Sequence, residues 1–336
     1  MRAAYIEQTG APEVIRFGEL PDPRCDAGQI VVRIRAVSVN PIDTYIRNGA
    51  NYWPLKFPFV VGADFAGEVV EIGGGVDRRA YPWLQEGVRV WGSNQGFMGR
   101  SGSFAEKIAI DPAWAYPTPE GVDDTAAAAC ALVGITAGLG LFERANLREG
   151  ESVFVRGGTG GVGSMVVQMA RAAGGRVIAT AGSQEKAARC RELGAETVIQ
   201  YQEEEILPAI QRFAEGGVQL FWETLREPDF DLAVAAMSEN ARMVLMAGRD
   251  ARPPFPVGPF YVKGCSLIGF VMFKASPEAQ RRVATRIGEM LAAGTLKPQI
   301  DRVLPLSEAA QAHRLQESST VQKSGELAGK LVLTVD

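Results

Sequence analysis

Ser152–Arg171 reads SVFVRGGTGGVGSMVVQMAR. Val153–Val155 is a β-branched and aromatic run, glycines follow, and Val162, Met165, Val166, Met169 and Ala170 then recur at helical spacing. That order predicts a strand, a tight turn and a helix. Gly158, Gly160 and Gly163 satisfy G-x-G-x-x-G, with Thr159, Gly161 and Val162 between them. The first glycine permits the turn, the second lets backbone approach a pyrophosphate, and the third lets helix pack on strand. The phosphates are expected on the unpaired N–H groups and positive dipole end of the new helix.

The next strand, Arg176–Thr180, ends in Ala181-Gly182-Ser183, with Lys186 one turn into the following helix. An NAD site places an Asp or Glu about 20 residues after the glycines to receive the ribose hydroxyls. No carboxylate stands at that strand end to repel a 2′-phosphate. Ser183 donates a hydrogen bond and Lys186 supplies charge, so the chemistry favours NADPH over NADH. Ser183 also has the chemistry of a helix N-cap, a role compatible with binding.

Working outward, six strands alternate with helices from Ser152 to Gly269: residues 153–155, 176–180, 197–200, 220–223, 243–247 and 266–269. This is the pattern of a doubly wound α/β sheet. Thr125–Leu132 and Ile135–Arg144 are expected to be helical, as is Ala279–Ala293, and Lys330–Val335 closes the chain as a strand. Before about residue 110 the chain is punctuated by glycine, with short strands at 31–37, 67–73, 87–91 and 102–109, which suggests a small β-barrel. Trp53, Phe57, Phe59, Trp91, Phe97 and Met98 fall in its loops, where aromatics line apolar sites or fill the core.

The 336 residues are 46% hydrophobic and 22% charged, an ordinary globular composition with room for two domains. A net charge of −4 without a basic block disfavours nucleic-acid binding. No apolar run approaches a membrane span, and MRAAYIEQTG does not read as a signal peptide. Cys25, Cys130, Cys190 and Cys265 are scattered without pairing, as expected of free thiols in a reducing cytoplasm. His313 is the sole histidine, which leaves little for mechanisms that need imidazole pairs.

The order of β-barrel, Rossmann unit and C-terminal return resembles the medium-chain dehydrogenase/reductase superfamily. Within it, V39NPIDTYIRNG49, G62ADFAGEV69, G134ITA137 and G160GVG163 are similar to the zinc-free, ζ-crystallin-like quinone oxidoreductases. The resemblance covers essentially the whole chain. It implies an α/β fold with a GroES-like β-barrel catalytic domain, residues 1–124 and 271–336, and a doubly wound Rossmann cofactor domain, residues 125–270. Asn40 and Ala63 stand where alcohol-dehydrogenase relatives place zinc-ligating Cys and His, and Asp43 and Asp64 alone do not make such a site. The resemblance also brings Thr136 to the nicotinamide carboxamide and Tyr201 to the adenosine, with Asp43 and Phe270 as further cofactor contacts. Three stretches depart from the pattern, one of them the longer Ser318–Glu326 insert before the final strand. Arg156 precedes the glycine turn where small residues are commoner, and Trp222–Pro228 replaces an Asp followed by a glycine-rich turn.

The expected activity is NADPH-dependent reduction of a quinone or a conjugated carbonyl compound by hydride transfer without zinc. Asn40 is the first candidate to orient nicotinamide or the substrate carbonyl; a capping asparagine is its structural alternative. Tyr45 and Tyr52 are candidate donors to the developing oxyanion, with water as the other proton source. Arg47 is expected to hold its loop, by pairing with Asp43. Reduction of enoyl thioesters is the alternative chemistry, and NADPH binding without turnover the alternative role. A homodimer is expected, through the apolar strand Cys265–Val271.

Overall fold

A computed structural model of the chain describes residues 1–50, 54–322 and 324–335. It divides into two compact units, Met1–Leu132 with Ala284–Asp336 (unit 1) and Val133–Val283 (unit 2). Both crossings fall later than 124/125 and 270/271, because a helix runs through each.

Unit 1 begins with β1 (Arg2–Ile6), β2 (Arg16–Glu19) and β3 (Ile30–Val39), followed by α1 (Pro41–Arg47). β4 (Phe59–Val60), β5 (Phe65–Ile72), β6 (Arg89–Gly92), β7 (Lys107–Ile110) and β8 (Ala115–Pro117) lead to α2 (Asp124–Gly138). β7 starts later than its sequence suggests. The Gly102 and Ser103 N–H groups are bonded to the Val60 and Gly62 carbonyls, which pins those residues as a turn. The stretch expected to be a loop at Pro41–Arg47 is a helix. Pro41 stands in its first turn, and Asn40 and Asp43 form a reciprocal capping box.

α2 continues without a break into a π-helical stretch, Leu139–Arg144, so two expected segments form one element. Over Asp124–Arg144 this helix is long and apolar enough to cross a membrane, contrary to the expectation that no such segment exists. Its most apolar window is 78% buried, which makes it a core helix of the fold. Small residues let it pack closely: a Cβ at Gly140 would collide with the Trp222 ring.

Unit 2 follows with β9 (Ser152–Val155), α3 (Gly161–Ala172), β10 (Arg176–Ala181), α4 (Gln184–Glu192) and β11 (Thr197–Gln200). α5 (Ile206–Phe213), β12 (Val218–Glu223), α6 (Phe230–Ala236), β13 (Met237–Leu245), α7 (Val257–Val262) and β14 (Ser266–Gly269) complete it. The strands lie parallel in the order β11-β10-β9-β12-β13-β14. Numbered within the unit this is 3-2-1-4-5-6, the doubly wound dinucleotide-binding order, reversing between β9 and β12. Phe154 of β9 and Phe221 of β12 meet with ring centroids 4.6 Å apart. With Ile178, Ile199 and Met243 they bury one sheet face under α5 and α6, and burying each such side chain contributes roughly 1.5–3 kcal/mol. α3 buries Met165, Val166, Met169 and Ala170, four of the five apolar positions expected of it, together with Val167; Val162 is only half-buried.

The chain returns to unit 1 through α8 (Pro277–Ala292), β15 (Ile300–Pro305), α9 (Ala309–Thr320) and β16 (Lys330–Thr334). β16 pairs antiparallel with β3, in register Leu331 to Val39 and Leu333 to Val37. The seven-stranded sheet of unit 1 is thus built from both ends of the chain, beside a three-stranded sheet ordered β2-β1-β4.

Candidate functional site

The glycine turn of unit 2 lies at the carboxyl end of β9, at the reversal of strand order where α/β sheets open a crevice. Its left-handed residue is Gly157, at φ 76°, one position before the first glycine of the motif. Gly158 is needed for proximity: a Cβ there would sit 2.7 Å from the Cys190 sulfur and 2.8 Å from the Ala179 Cβ. A Cβ at Gly163 would collide with the Gly157 carbonyl, so helix and turn approach only because residue 163 is glycine. Thr180 of β10 fixes the turn. Its Oγ1 accepts from the Gly157 N–H at 2.8 Å and its carbonyl from the Gly158 N–H at 3.0 Å. Gly160 caps α3 without a side chain, and the first-turn N–H groups at Gly161, Val162 and Gly163 have no carbonyl four residues back within the helix. Thr159 is buried beside them. The cradle fits a dinucleotide pyrophosphate.

At the end of β10, Ser183 caps α4, its Oγ accepting from the Lys186 N–H at 3.3 Å. The cap uses one oxygen lone pair and leaves the hydroxyl hydrogen available. Lys186 is half-buried one turn on. Tyr201, just past β11, is 53% exposed, and a Cβ at Gly182 would lie 2.6 Å from its hydroxyl oxygen. Gly182, Ser183, Lys186 and Tyr201 thus gather on one side of the glycine turn, a phosphate-compatible pair beside an open aromatic. Thr136 is buried on α2, and Phe270 follows β14, its ring edge 3.1 Å from where a Cβ of Gly140 would stand.

Unit 1 holds a second concentration of polar groups, closed on itself. Asn40 is fully buried at the end of β3. Its Nδ2 donates to Asp64 Oδ2 at 2.7 Å, and its Oδ1 accepts from the Lys330 ammonium at 2.5 Å. Lys330 also donates to the Val39 carbonyl at 2.6 Å, and Ser38 Oγ donates to Asp64 Oδ2 at 2.7 Å. Asp64 Oδ1 accepts from the Leu132 N–H at 3.2 Å. Asp43 Oδ2 accepts from the Asn40 N–H at 2.8 Å, while its Oδ1 is buried without a hydrogen-bond partner among the described residues. Burial, then the charge of Asp64, pushes the Asp43 pKa up to about 8. Burial likewise raises Asp64 and lowers Lys330.

Lys330 is the member that sequence reading missed. It stands 290 residues from Asn40, and the only available signal was a lysine opening an otherwise apolar strand. Of Asn40 and Asp43, both expected at substrate or cofactor, the Asn40 amide and Asp43 Oδ2 are engaged within this network. Arg47 is fully buried, and its partner is Glu317 of α9, not Asp43 as expected. Asp43 faces inward to the cap, whereas Arg47 lies one turn on, toward α9. His313 of α9 is buried edge-on to the Phe104 ring at 5.9 Å. Burial, then the nearby Arg47 charge, lowers its pKa to about 3. Tyr45 is half-buried on α1, and Tyr52 and Trp53 lie outside the described residues. Of the loop aromatics, Phe59, Trp91 and Phe97 are core, whereas Phe57 and Met98 are exposed.

The family model for the alcohol dehydrogenase GroES-like domain matches residues 26–120, and that for zinc-binding dehydrogenases matches residues 161–288. Among the described residues, no three His, Cys, Asp or Glu side chains are grouped to hold a metal ion. The quinone oxidoreductase of Rattus norvegicus is 31% identical, over 99% of this chain and 97% of its own. Two solved structures each align over the whole of both chains. One is an NAD-dependent alcohol dehydrogenase, with TM-score 0.89 and 27% identity; the other is a mycobacterial protein complexed with NADPH, with TM-score 0.86 and 27% identity. With its Rossmann strand order, its glycine cradle and full-length similarity to a named oxidoreductase, the chain belongs to the quinone oxidoreductase family of the medium-chain dehydrogenase/reductase superfamily.

Proposed function

We propose that this chain is an NADPH-dependent reductase of quinones and conjugated carbonyl compounds that works without zinc. The observation that carries the reading is the pair Ser183 and Lys186, with Tyr201, beside a glycine cradle that admits a pyrophosphate. When bound, the cofactor supplies the hydride. The backbone N–H groups of Gly161, Val162 and Gly163 hold its pyrophosphate, Ser183 and Lys186 its 2′-phosphate, and the Tyr201 ring its adenine. Thr136 and Phe270 serve the nicotinamide end. Tyr45 or Tyr52, or water, donates to the substrate oxygen, where a donor stabilises the transition state more than the ground state.

The zinc-free reading rests on the chemistry of the unit 1 cluster. Zinc asks for three or four thiolate, imidazole or carboxylate ligands. Here an amide stands at the expected thiolate position, and the Lys330 ammonium sits among the carboxylates, repelling a second cation. Asn40 and Asp43 act on the reaction by holding the start of α1, which carries Tyr45.

The test is a panel of quinones, enones, enoyl thioesters and simple secondary alcohols, assayed with NADPH and NADH after dialysis against a chelator. Turnover of quinones or enones with a clear NADPH preference is expected. Zinc-restored alcohol oxidation would overturn the reading, and turnover confined to enoyl thioesters would move it to that substrate class.

The proposed assembly is a cytoplasmic homodimer. β14 is an edge strand, and Val257, Tyr261 and Val262 of the adjoining α7 are 63%, 69% and 74% exposed. An apolar edge of this kind is stable when a second copy pairs with it. Sedimentation giving a monomer mass at micromolar concentration would remove this assignment.

A further inference from the structure

Two charged residues meet at the point where the strand order of unit 2 reverses. Arg156 directly follows β9, and Glu223 ends β12, the two neighbouring strands that flank the crevice. The backbone of Arg156 is stitched across the reversal at both ends. Its N–H donates to the Trp222 carbonyl at 3.0 Å, and its carbonyl accepts from Thr224 Oγ1 at 2.6 Å. The side chain is therefore launched from a fixed base immediately before the left-handed Gly157.

Glu223 is fully buried, and its Oε1 accepts from the Leu225 N–H at 2.7 Å. Its Oε2 lies 3.6 Å from Arg156 Nη1, and neither atom has a hydrogen-bond partner among the described residues. Burial raises the Glu223 pKa, and the Arg156 charge opposes that rise. A guanidinium offers five donors in a fork suited to phosphate. Here one of them faces a carboxylate at more than hydrogen-bond distance, and the side chain retains 16% of its exposure. The carboxylate neutralises the charge without saturating it.

We propose that Arg156 is an anion-binding residue of the dinucleotide crevice, which donates to the cofactor pyrophosphate and has Glu223 as its counter-ion in the free protein. This rests on the dinucleotide reading above and adds a side-chain charge to a cradle otherwise made of backbone N–H groups. The phosphate offers Arg156 the close, charge-assisted hydrogen bonds that Glu223 at 3.6 Å does not.

The experiment is a set of dissociation constants, measured by calorimetry or tryptophan quenching, for NADPH, NADH, ADP-ribose and adenosine 2′-monophosphate. Arg156→Gln removes the charge at similar size. Because it leaves Glu223 unpaired, the double variant R156Q/E223Q is the companion that strands no buried charge. Both variants should weaken NADPH, NADH and ADP-ribose together by roughly 10- to 100-fold and leave adenosine 2′-monophosphate, which has no pyrophosphate, unchanged. Arg156→Lys should recover part of the loss. Wild-type affinity for ADP-ribose in the folded double variant would overturn the proposal, as would an equal loss for adenosine 2′-monophosphate, which would signal a distorted crevice. A wild-type protein that binds no dinucleotide would overturn both this proposal and the reading beneath it.

Discussion

In unit 1, buried Asn40 bridges Asp64 and Lys330, at 2.7 and 2.5 Å, and all three side chains lie in the core. In unit 2, the polar groups at the strand ends are held but not used up. The Ser183 hydroxyl keeps its hydrogen, the first turn of α3 keeps its N–H groups, and Tyr201 keeps half its surface. Both regions are polar, and both were singled out by residue type. What separates them is satisfaction: a saturated network fixes backbone, whereas an unsaturated one at a crevice is available to a ligand.

The sharpest way to break the comparison is to unbalance the closed cluster. Lys330→Met leaves the buried Asp64 without its cation, and losing one partner of a buried pair costs about 3–5 kcal/mol. A fall of that size is expected in denaturant unfolding, with part of it returned by adding Asp64→Asn. A loss below 1 kcal/mol would mean that water reaches the cluster.

The open site predicts a smaller change, confined to ligand. Lys186→Ala should weaken NADPH by about 1.5–3 kcal/mol, the value of a hydrogen bond to a charged group, and should spare NADH and the melting temperature. Equal losses for both cofactors would make the lysine part of the scaffold.

The smallest effect is read against pH. The Asp43 pKa is raised in the folded state from 3.8 to about 8, so between these values the native protein holds a proton that the unfolded chain releases. Stability from this group is present at low pH and lost as pH rises toward 8. One proton sets a ceiling of about 1.4 kcal/mol per pH unit. Lys330, whose pKa shifts downward, responds with the opposite sign. Between pH 6 and 8, wild-type stability should fall relative to Asp43→Asn; parallel melting curves would show that Asp43 does not titrate there.

The legibility of the two regions in sequence follows the same divide. The crevice is local: β9, the turn and α3 occupy one run, and glycine spacing with apolar period suffices to place Gly158, Gly163 and Ser183. Even there the left-handed position fell on Gly157, because the spacing identifies close approach and not dihedral angle. The closed cluster is non-local. Lys330 reaches Asn40 across 290 residues, and Glu317 reaches Arg47 across 270, so neither pairing has a signature in any window. α1 was hidden for another reason: seven residues opened by a proline look like a turn until the capping box is recognised.

The pairing of β16 with β3 has a consequence for the order in which the molecule can be assembled. Unit 2 is a single stretch of chain, so every strand of its sheet has been synthesised by Gly269. The sheet of unit 1 lacks an interior strand until residues 330–334 arrive, after the whole of unit 2. Until then Asp43 and Asp64 have no ammonium near them, and burying both as anions would be costly. β16 thus delivers, at its first residue, the charge that lets unit 1 close, while unit 2, encoded between the two parts of unit 1, has no such wait.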